Sequence, residues 1–184
     1  MSTVTQLIPT GTWTADPVHS VVGFSVRHMG IATVHGVFER FEARLEVGDD
    51  LAHARVEATV EAASITTREA QRDEHLRSPE FFNAEAFPQI TYTSTGIRVV
   101  DDETFVVSGD LQMAGVTRSV ELTATVGGLE TDPWGNERVG LELRGSLNRG
   151  DFGMTFNQLL GGGNMLVSDT VKIAIDISAI RSAG

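Results

Sequence analysis

Apolar and polar residues alternate with a period of two through most of this 184-residue chain. Val22, Phe24 and Val26 alternate with the residues between them, and the same pattern returns at residues 41–47, 54–62, 107–113, 120–126, 139–147 and 171–177. Such alternation buries one face of each strand and leaves the other in water, which is typical of antiparallel strands. The chain is therefore predicted to be all-β.

Turn-forming residues separate these stretches, as at Gly48-Asp49-Asp50, Asp101-Asp102, Gly127-Gly128 and Asp132-Pro133-Trp134-Gly135. Many strands of similar spacing joined by tight turns favour a sandwich or a closed barrel. No linker or repeat divides the sequence, so we predict a tail over 1–11 and one domain over 12–181.

One segment, around residues 66–86, lacks the alternation. Thr66 followed by Glu69 fits a capping box, and good helix formers fill the positions from Thr67 to Arg77. Ser78-Pro79 stops a helix there. We predict a short helical insert between two strands, followed by the adjacent pair Phe81 and Phe82.

Composition excludes several classes of protein. The formal net charge is −11, which disfavours nucleic acid and anionic membrane surfaces as partners. There is no cysteine, and no apolar run reaches the length that spans a bilayer, so stable membrane insertion is not expected. The first residues lack the basic and apolar regions of a signal peptide, so we expect a cytoplasmic location.

The predicted inward faces carry several small residues: Ala43, Ala54, Ala58, Ala62, Ala124, Gly109 and Gly145. A barrel of about eight strands is just wide enough to be filled by side chains or to hold one small ligand. Small inward residues either leave a cavity or are matched by bulky residues on other strands. The sequence leaves both alternatives open.

Apolar residues also lie in stretches without alternation, among them Phe81, Phe82, Met154, Phe156, Leu159 and Met165. Such residues either plug the end of a barrel or wall a ligand channel. In the strand at 21–28, His28 shares the inward parity of Phe24 and Val26, whereas Arg27 should point outward.

Five polar residues could meet the head group of a buried ligand: His19, Arg27, His28, Arg72 and Asp73. An arginine offers a bidentate fork to phosphate, and a head group such as a diphosphate or a quinone carbonyl needs convergent donors. The alternative is that the helix residues form a solvated ion-pair face and that His28 is an ordinary core histidine.

Several longer motifs carry a family resemblance. They are FSVRHMG (24–30), GVFERF (36–41), SITTREAQRDEHLRSPEFFNAEAFPQITYTS (64–94), GDLQMAGVTRSVEL (109–122), RGDFG (149–153) and VSDTVKIAID (167–176). With these motifs the chain resembles the YceI-like family of polyisoprenoid-binding proteins, from about Thr12 to Ile180.

The resemblance implies an extended, lipocalin-like antiparallel barrel that holds a long apolar ligand and often forms a homodimer. The expected ligand is an isoprenoid lipid, either a polyprenyl diphosphate or an isoprenoid quinone, which the protein sequesters or transports without catalysis or a cofactor. A fatty acid or fatty amide is the alternative amphiphile. The residues expected to contact the tail are Phe24, Val26, Phe81, Phe82, Ile90, Tyr92, Met154, Phe156, Leu159 and Met165.

A metal-dependent enzyme is the second alternative. The histidines at 19, 28, 35, 53 and 75, with Asp16 and Asp73, could in principle hold a metal. No pair has the HExxH spacing, and no nucleophile elbow, GxGxxG or P-loop occurs. We therefore expect no catalytic residues and no metal site.

Overall fold

The computed structural model describes residues 8–157 and 166–182. Its strands are β1 (Gly11–Ala15), β2 (Val21–His28), β3 (Ala32–Phe38), β4 (Phe41–Val47), β5 (Arg55–Glu61), β6 (Ile65–Thr66), β7 (Gln89–Val99), β8 (Thr104–Met113), β9 (Val116–Thr131), β10 (Glu137–Asn148) and β11 (Val167–Arg181). The α-helix α1 spans Ala70–Arg77, and short 3₁₀ turns cover Leu51–His53, Ala62–Ser64 and Arg149–Phe152.

Eight of these strands close a barrel in which neighbours are antiparallel. Their order is β1-β4-β5-β7-β8-β9-β10-β11, and β11 returns to β1 through the pairs from Trp13↔Arg181 to Ala15↔Ala179. Because the barrel is closed there, the strands have no free sheet edge where β1 pairs with β11. The all-β prediction, the barrel of about eight strands and the short helical insert are confirmed.

The long strand β11 also carries a smaller sheet. Residues 179–181 of β11 pair with β1, whereas residues 167–176 pair with β2, from Asp176↔Val21 to Val167↔His28. β2 in turn pairs with β3. The two-residue strand β6 joins the far edge of β3. This side sheet continues the barrel wall toward the end of the molecule where α1 lies.

The opposite end of the barrel is plugged by side chains. Ile8, Trp13, Leu51 and Val139 are all fully buried there. Ile8 belongs to the segment predicted as a tail, and β1 already begins at Gly11. We call this end the plugged end and the end near α1 the helix end.

The helix α1 begins three residues later than the sequence predicts. Arg68 adopts a left-handed backbone with φ of 68°, which interrupts any helix running through it. Glu69 is the N-cap, and its carboxylate accepts a hydrogen bond from the Arg72 amide at 2.6 Å. The predicted capping box with Thr66 was therefore wrong, while the predicted stop at Ser78 is the observed C-cap. No helix within the described residues is long and apolar enough to cross a bilayer.

Candidate functional site

The barrel encloses an almost wholly apolar cavity of about 250 Å³. Alternate residues of each strand reach it, and β11 alone contributes Val171, Ile173, Ile175, Ile177 and Ala179. From the first to the last of these the strand advances about 26 Å. The cavity is therefore long and narrow, and it runs from the plugged end toward the helix end.

Small side chains keep part of this interior empty. Ala43 and Ala58 face each other across β4 and β5, and both line the cavity. Elsewhere the space beside a glycine is filled: a Cβ on Gly36 would overlap the Phe24 ring, and one on Gly109 would lie 2.5 Å from Cζ of Tyr92. Both alternatives for the small inward residues thus occur, at different positions of the barrel.

Tyr92 brings a polar atom into the apolar interior without leaving it unsatisfied. Its hydroxyl donates to the carbonyl of Val120 at 2.8 Å, and the carbonyl of Val107 lies 3.3 Å away. Burial raises the pKa of the Tyr92 phenol, which therefore stays protonated.

Aromatic side chains cover the helix end of the cavity. Phe81 and Phe82 both line it, and Phe82 packs edge-on against Phe38 with ring centroids 5.5 Å apart. Phe81 lies 5.6 Å from Phe156, and the His75 ring contacts both of these rings at 5.0 and 4.8 Å. We call the side chains of His75, Leu76, Phe81, Phe82 and Phe156 the lid. Leu76 belongs to α1 and also lines the cavity.

Polar side chains fasten the lid to Thr67, the residue that follows β6. The buried Asp73 carboxylate accepts hydrogen bonds from the Thr67 amide at 2.7 Å and from its hydroxyl at 2.5 Å. Arg72 donates from Nε to Oγ1 of Thr67 at 2.7 Å and from its terminal nitrogen to the Thr67 carbonyl at 2.8 Å. The two residues thus fix the position of α1, and neither lines the cavity.

Arg149 is the charged group that the sequence analysis missed. Its side chain is 3% exposed and lines the cavity at the helix end. The guanidinium donates to the carbonyls of Ser168 at 2.9 Å and Met154 at 2.6 Å and lies 6.0 Å from the Phe81 ring centroid. Burial lowers its pKa, but an arginine stays protonated at neutral pH. Its acidic neighbour Asp169 is 3.7 Å away and mostly exposed, so a positive charge remains at this end of the cavity.

The remaining head-group candidates lie next to or within β2: His19 precedes the strand, and Arg27 and His28 are its last residues. His19 contacts Asp16 at 2.7 Å near the plugged end, on the far side of the molecule from the lid. Arg27 donates to the Thr33 hydroxyl and to the Gly30 carbonyl in the β2–β3 hairpin, and His28 ends β2 beside the same turn. None of these three side chains lines the cavity.

The tail candidates are far more closely grouped. Seven of them line this cavity: Phe24, Val26, Phe81, Phe82, Ile90, Tyr92 and Met154. Phe156 lies behind Phe81 in the lid. Leu159 and Met165 lie outside the described residues.

A network of charges holds the turns of the plugged end. Arg138 donates to Asp16 at 2.9 Å and to Asp132 at 2.8 Å. Hydrogen bonds from His19 and Arg138 lower the pKa of Asp16 to about 2. The pKa of Asp132 is also about 2, because hydrogen bonds from Arg138 and Asn136 outweigh the opposing effect of burial.

The histidines do not assemble a metal centre in the part of the chain that the structure describes. Three of them each contact one carboxylate: His19 that of Asp16, His53 that of Asp50 and His75 that of Glu80. No group of three histidine, aspartate or glutamate side chains converges among residues 8–157 and 166–182.

A closed eight-stranded barrel with a long apolar cavity under a helical lid defines a lipocalin-like protein. A family model described as the YceI-like domain matches residues 13–179. The chain belongs to this family.

Relatives and solved structures agree with this assignment. Protein YceI of Salmonella arizonae is 38% identical over 164 residues, which cover 89% of this chain and 82% of the relative. A YceI protein of Campylobacter jejuni superposes with a TM-score of 0.73 at 28% identity and covers 85% of this chain and 90% of its own.

Two more distant structures share the fold. Burkholderia cenocepacia BcnA has a TM-score of 0.78 at 19% identity, over 89% of this chain and 98% of its own. A polyisoprenoid binding domain from Saccharophagus degradans, implicated in plant cell wall breakdown, has a TM-score of 0.68 at 14% identity, over 95% of this chain and all of that domain.

Proposed function

We propose that this protein binds one long-chain isoprenoid lipid in the barrel and sequesters or transports it without chemical change. The observation that carries the proposal is the long, almost wholly apolar cavity under the lid. Burial of apolar surface contributes about 25 cal/mol per Å², so a long hydrocarbon chain can be held tightly without a covalent bond. The polyisoprenoid binding domain with the same fold supports this choice of ligand.

The wall suits a flexible branched chain. Met113 and Met154 line the cavity among aliphatic residues, and thioether side chains adapt to irregular shapes. Phe24, Phe81 and Phe82 add flat aromatic surfaces near the helix end. The chain would lie along the barrel axis with one end beside the lid.

The head group of the lipid would lie at Arg149. Asp73 and Arg149 are both buried, and of these two charged residues only Arg149 lines the cavity. Hydrogen bonds to a charged group are worth about 1.5–3 kcal/mol, so a diphosphate or a quinone carbonyl would gain a strong donor there. An anionic head group would also face a guanidinium whose ion-pair partner, Asp169, is 3.7 Å away and mostly exposed to water.

The first experiment asks whether a lipid binds at all. The purified protein is extracted with organic solvent, and separately its native mass is measured with geranylgeranyl diphosphate, geranylgeraniol or palmitate. We expect near-equimolar lipid in the extract and a mass shift of one isoprenoid. A bare polypeptide mass under all three conditions, with an empty extract, contradicts the proposal. Preference for palmitate supports the fatty-acid alternative, since the Arg149 guanidinium can donate hydrogen bonds to a carboxylate as well as to a diphosphate.

The second experiment tests the place of the head group. In Arg149→Lys the bidentate fork is lost, so the ratio of affinities for geranylgeranyl diphosphate and geranylgeraniol should fall about tenfold. Using a ratio cancels any general loss of stability. Arg144→Lys is the matched control, because Arg144 lies on the outer face of β10, the strand that leads to Arg149, and pairs with Asp176. Equal ratios in both variants would place the head group elsewhere.

A further inference from the structure

The barrel wall is split between β9 and β10 at the helix end. These strands pair from Glu137↔Thr131 as far as Arg144↔Thr123. Beyond that point β9 continues to Val116 with β8 as its partner, and β10 continues to Asn148 with β11 as its partner. The strands are still close at Gly145, where a Cβ would lie 2.8 Å from the Glu121 carbonyl oxygen, and they part beyond it.

A cleft of about 330 Å³ opens between the two diverging strand ends. Its residues are polar or charged on the outside and apolar at the base, where Val120, Leu147 and Phe152 lie. Val120 and Leu147 also line the central cavity. One layer of side chains therefore separates the cleft from the cavity.

Arg118 occupies a position that would otherwise face the interior. It pairs with Leu111, a cavity residue, and it has the same parity as Val116 and Val120 on β9. The side chain is nevertheless exposed, and its guanidinium donates to the Thr117 carbonyl at 2.9 Å. A closed wall would bury this charge at high cost, whereas the cleft gives it access to water. The exposed Asp151 carboxylate lies in the same cleft.

The 3₁₀ turn Arg149–Phe152 links the cleft with the cavity. Phe152 is 2% exposed and closes the base of the cleft, while Arg149 of the same turn faces the cavity. Asn148 caps the turn by accepting a hydrogen bond from the Gly150 amide at 2.8 Å. Gly153 ends it in a left-handed conformation with φ of 78°.

We propose that this cleft is a lateral portal through which an isoprenoid with an anionic head group reaches and leaves the cavity, with Arg118 as its first contact. The proposal rests on the function proposed above. Passage requires rotation of Phe152 and Leu147, and no strand pairing need break, since none joins β9 to β10 there. Departure through the lid by moving α1 away from Thr67 would instead break the hydrogen bonds that Asp73 and Arg72 make to that residue.

The test blocks the cleft with a bulky label. Because the chain has no cysteine, Ser119→Cys can be modified at one site with a bulky maleimide. Thr123→Cys with the same adduct is the matched control, since it is exposed on the same face of β9 where the wall is closed by Arg144. Trp134→Phe is added to both, so that Trp13, which lines the cavity, is the single tryptophan.

Association and dissociation of geranylgeranyl diphosphate are followed by Trp13 fluorescence. We expect the adduct at 119 to slow both rates at least about tenfold while the equilibrium Kd stays unchanged, because a blocked route raises the barrier in both directions. Rates equal to those of the labelled Thr123→Cys protein would overturn the portal. If the unlabelled protein fails to bind the probe at equilibrium, the proposed function itself fails, and the portal with it.

A second variant tests the role of Arg118. Arg118→Gln should slow association of geranylgeranyl diphosphate and leave that of geranylgeraniol unchanged, because only the anionic head is attracted by the guanidinium. The difference should shrink at high salt, where exposed charges are screened. An equal effect on both probes would overturn the contact.

Discussion

Replacing Ala58 with leucine tests whether the interior of the barrel is empty where the structure places the cavity. Ala58 faces Ala43 across β4 and β5, and both line the cavity. The change adds three carbons, each worth about 0.8 kcal/mol when buried, and fixing a leucine side chain costs roughly 0.5–1 kcal/mol. We therefore expect a gain of about 1–2 kcal/mol in the free energy of unfolding of the lipid-free protein. For a chain of this size, 1 kcal/mol shifts Tm by roughly 2–4 °C.

The matched control is Ala124→Leu. Ala124 faces inward on β9 beside Phe105, is fully buried and does not line the cavity. Extra carbons at a packed site cost about 1–3 kcal/mol, so this variant should lower Tm.

Both variants are measured by thermal unfolding with and without geranylgeranyl diphosphate. Ala58→Leu should also reduce the rise in Tm that the lipid produces, because the new side chain occupies its space. The reasoning is refuted if the two leucines destabilise the lipid-free protein equally.

Two further predictions concern the two ends of the barrel. Phe82→Ala should lower the free energy of unfolding of the lipid-free protein by less than the roughly 3–5 kcal/mol expected for a core phenylalanine, because the Phe82 ring faces the cavity. It should also reduce the rise in Tm that the lipid produces. Melting curves that show the full core loss and an unchanged lipid effect contradict this. At the plugged end, Asp16 and Asp132 have pKa values of about 2 when folded and near 4 when unfolded, so their contribution to stability is complete above pH 4 and is lost as the pH falls toward 2. Arg138→Gln should weaken this dependence of Tm on pH, and a slope equal to that of the parent protein between pH 4 and 2 would show that Arg138 is not its cause.

The barrel could be predicted because each strand carries its own signal. Alternation along β2 fixes Phe24 and Val26 on one face, and the structure places both in the cavity wall. Helix formers before Ser78-Pro79 indicate the helix α1. The start of α1 could not be predicted, since the left-handed backbone of Arg68 goes together with hydrogen bonds from Thr67 to Asp73, which no local pattern reveals.

The charged part of the site was harder to predict than the apolar part. Arg149 lies in the sequence Arg-Gly-Asp, which is typical of an exposed turn, and its burial is explained by the carbonyls of Met154, five residues on, and of Ser168 on β11. Arg72 and Asp73 read locally as partners for a head group, whereas their observed partner is Thr67. A period of two shows which way a side chain faces, but it does not show which strands part, as β9 and β10 do.

The pairing of β1 with β11 also determines when the barrel can form. Trp13 can pair with Arg181 only after synthesis has reached Arg181. Because a ribosome adds about 5–20 residues per second, β1 lacks this partner for on the order of ten seconds after its own synthesis. Throughout that interval the apolar faces of the strands already made are exposed to water. Contacts between residues so distant in sequence also make folding slow. The nascent chain therefore presents a prolonged target for chaperones, and a substitution that weakens the β1–β11 pairing should lower the yield of folded protein more than its effect on the finished barrel would suggest.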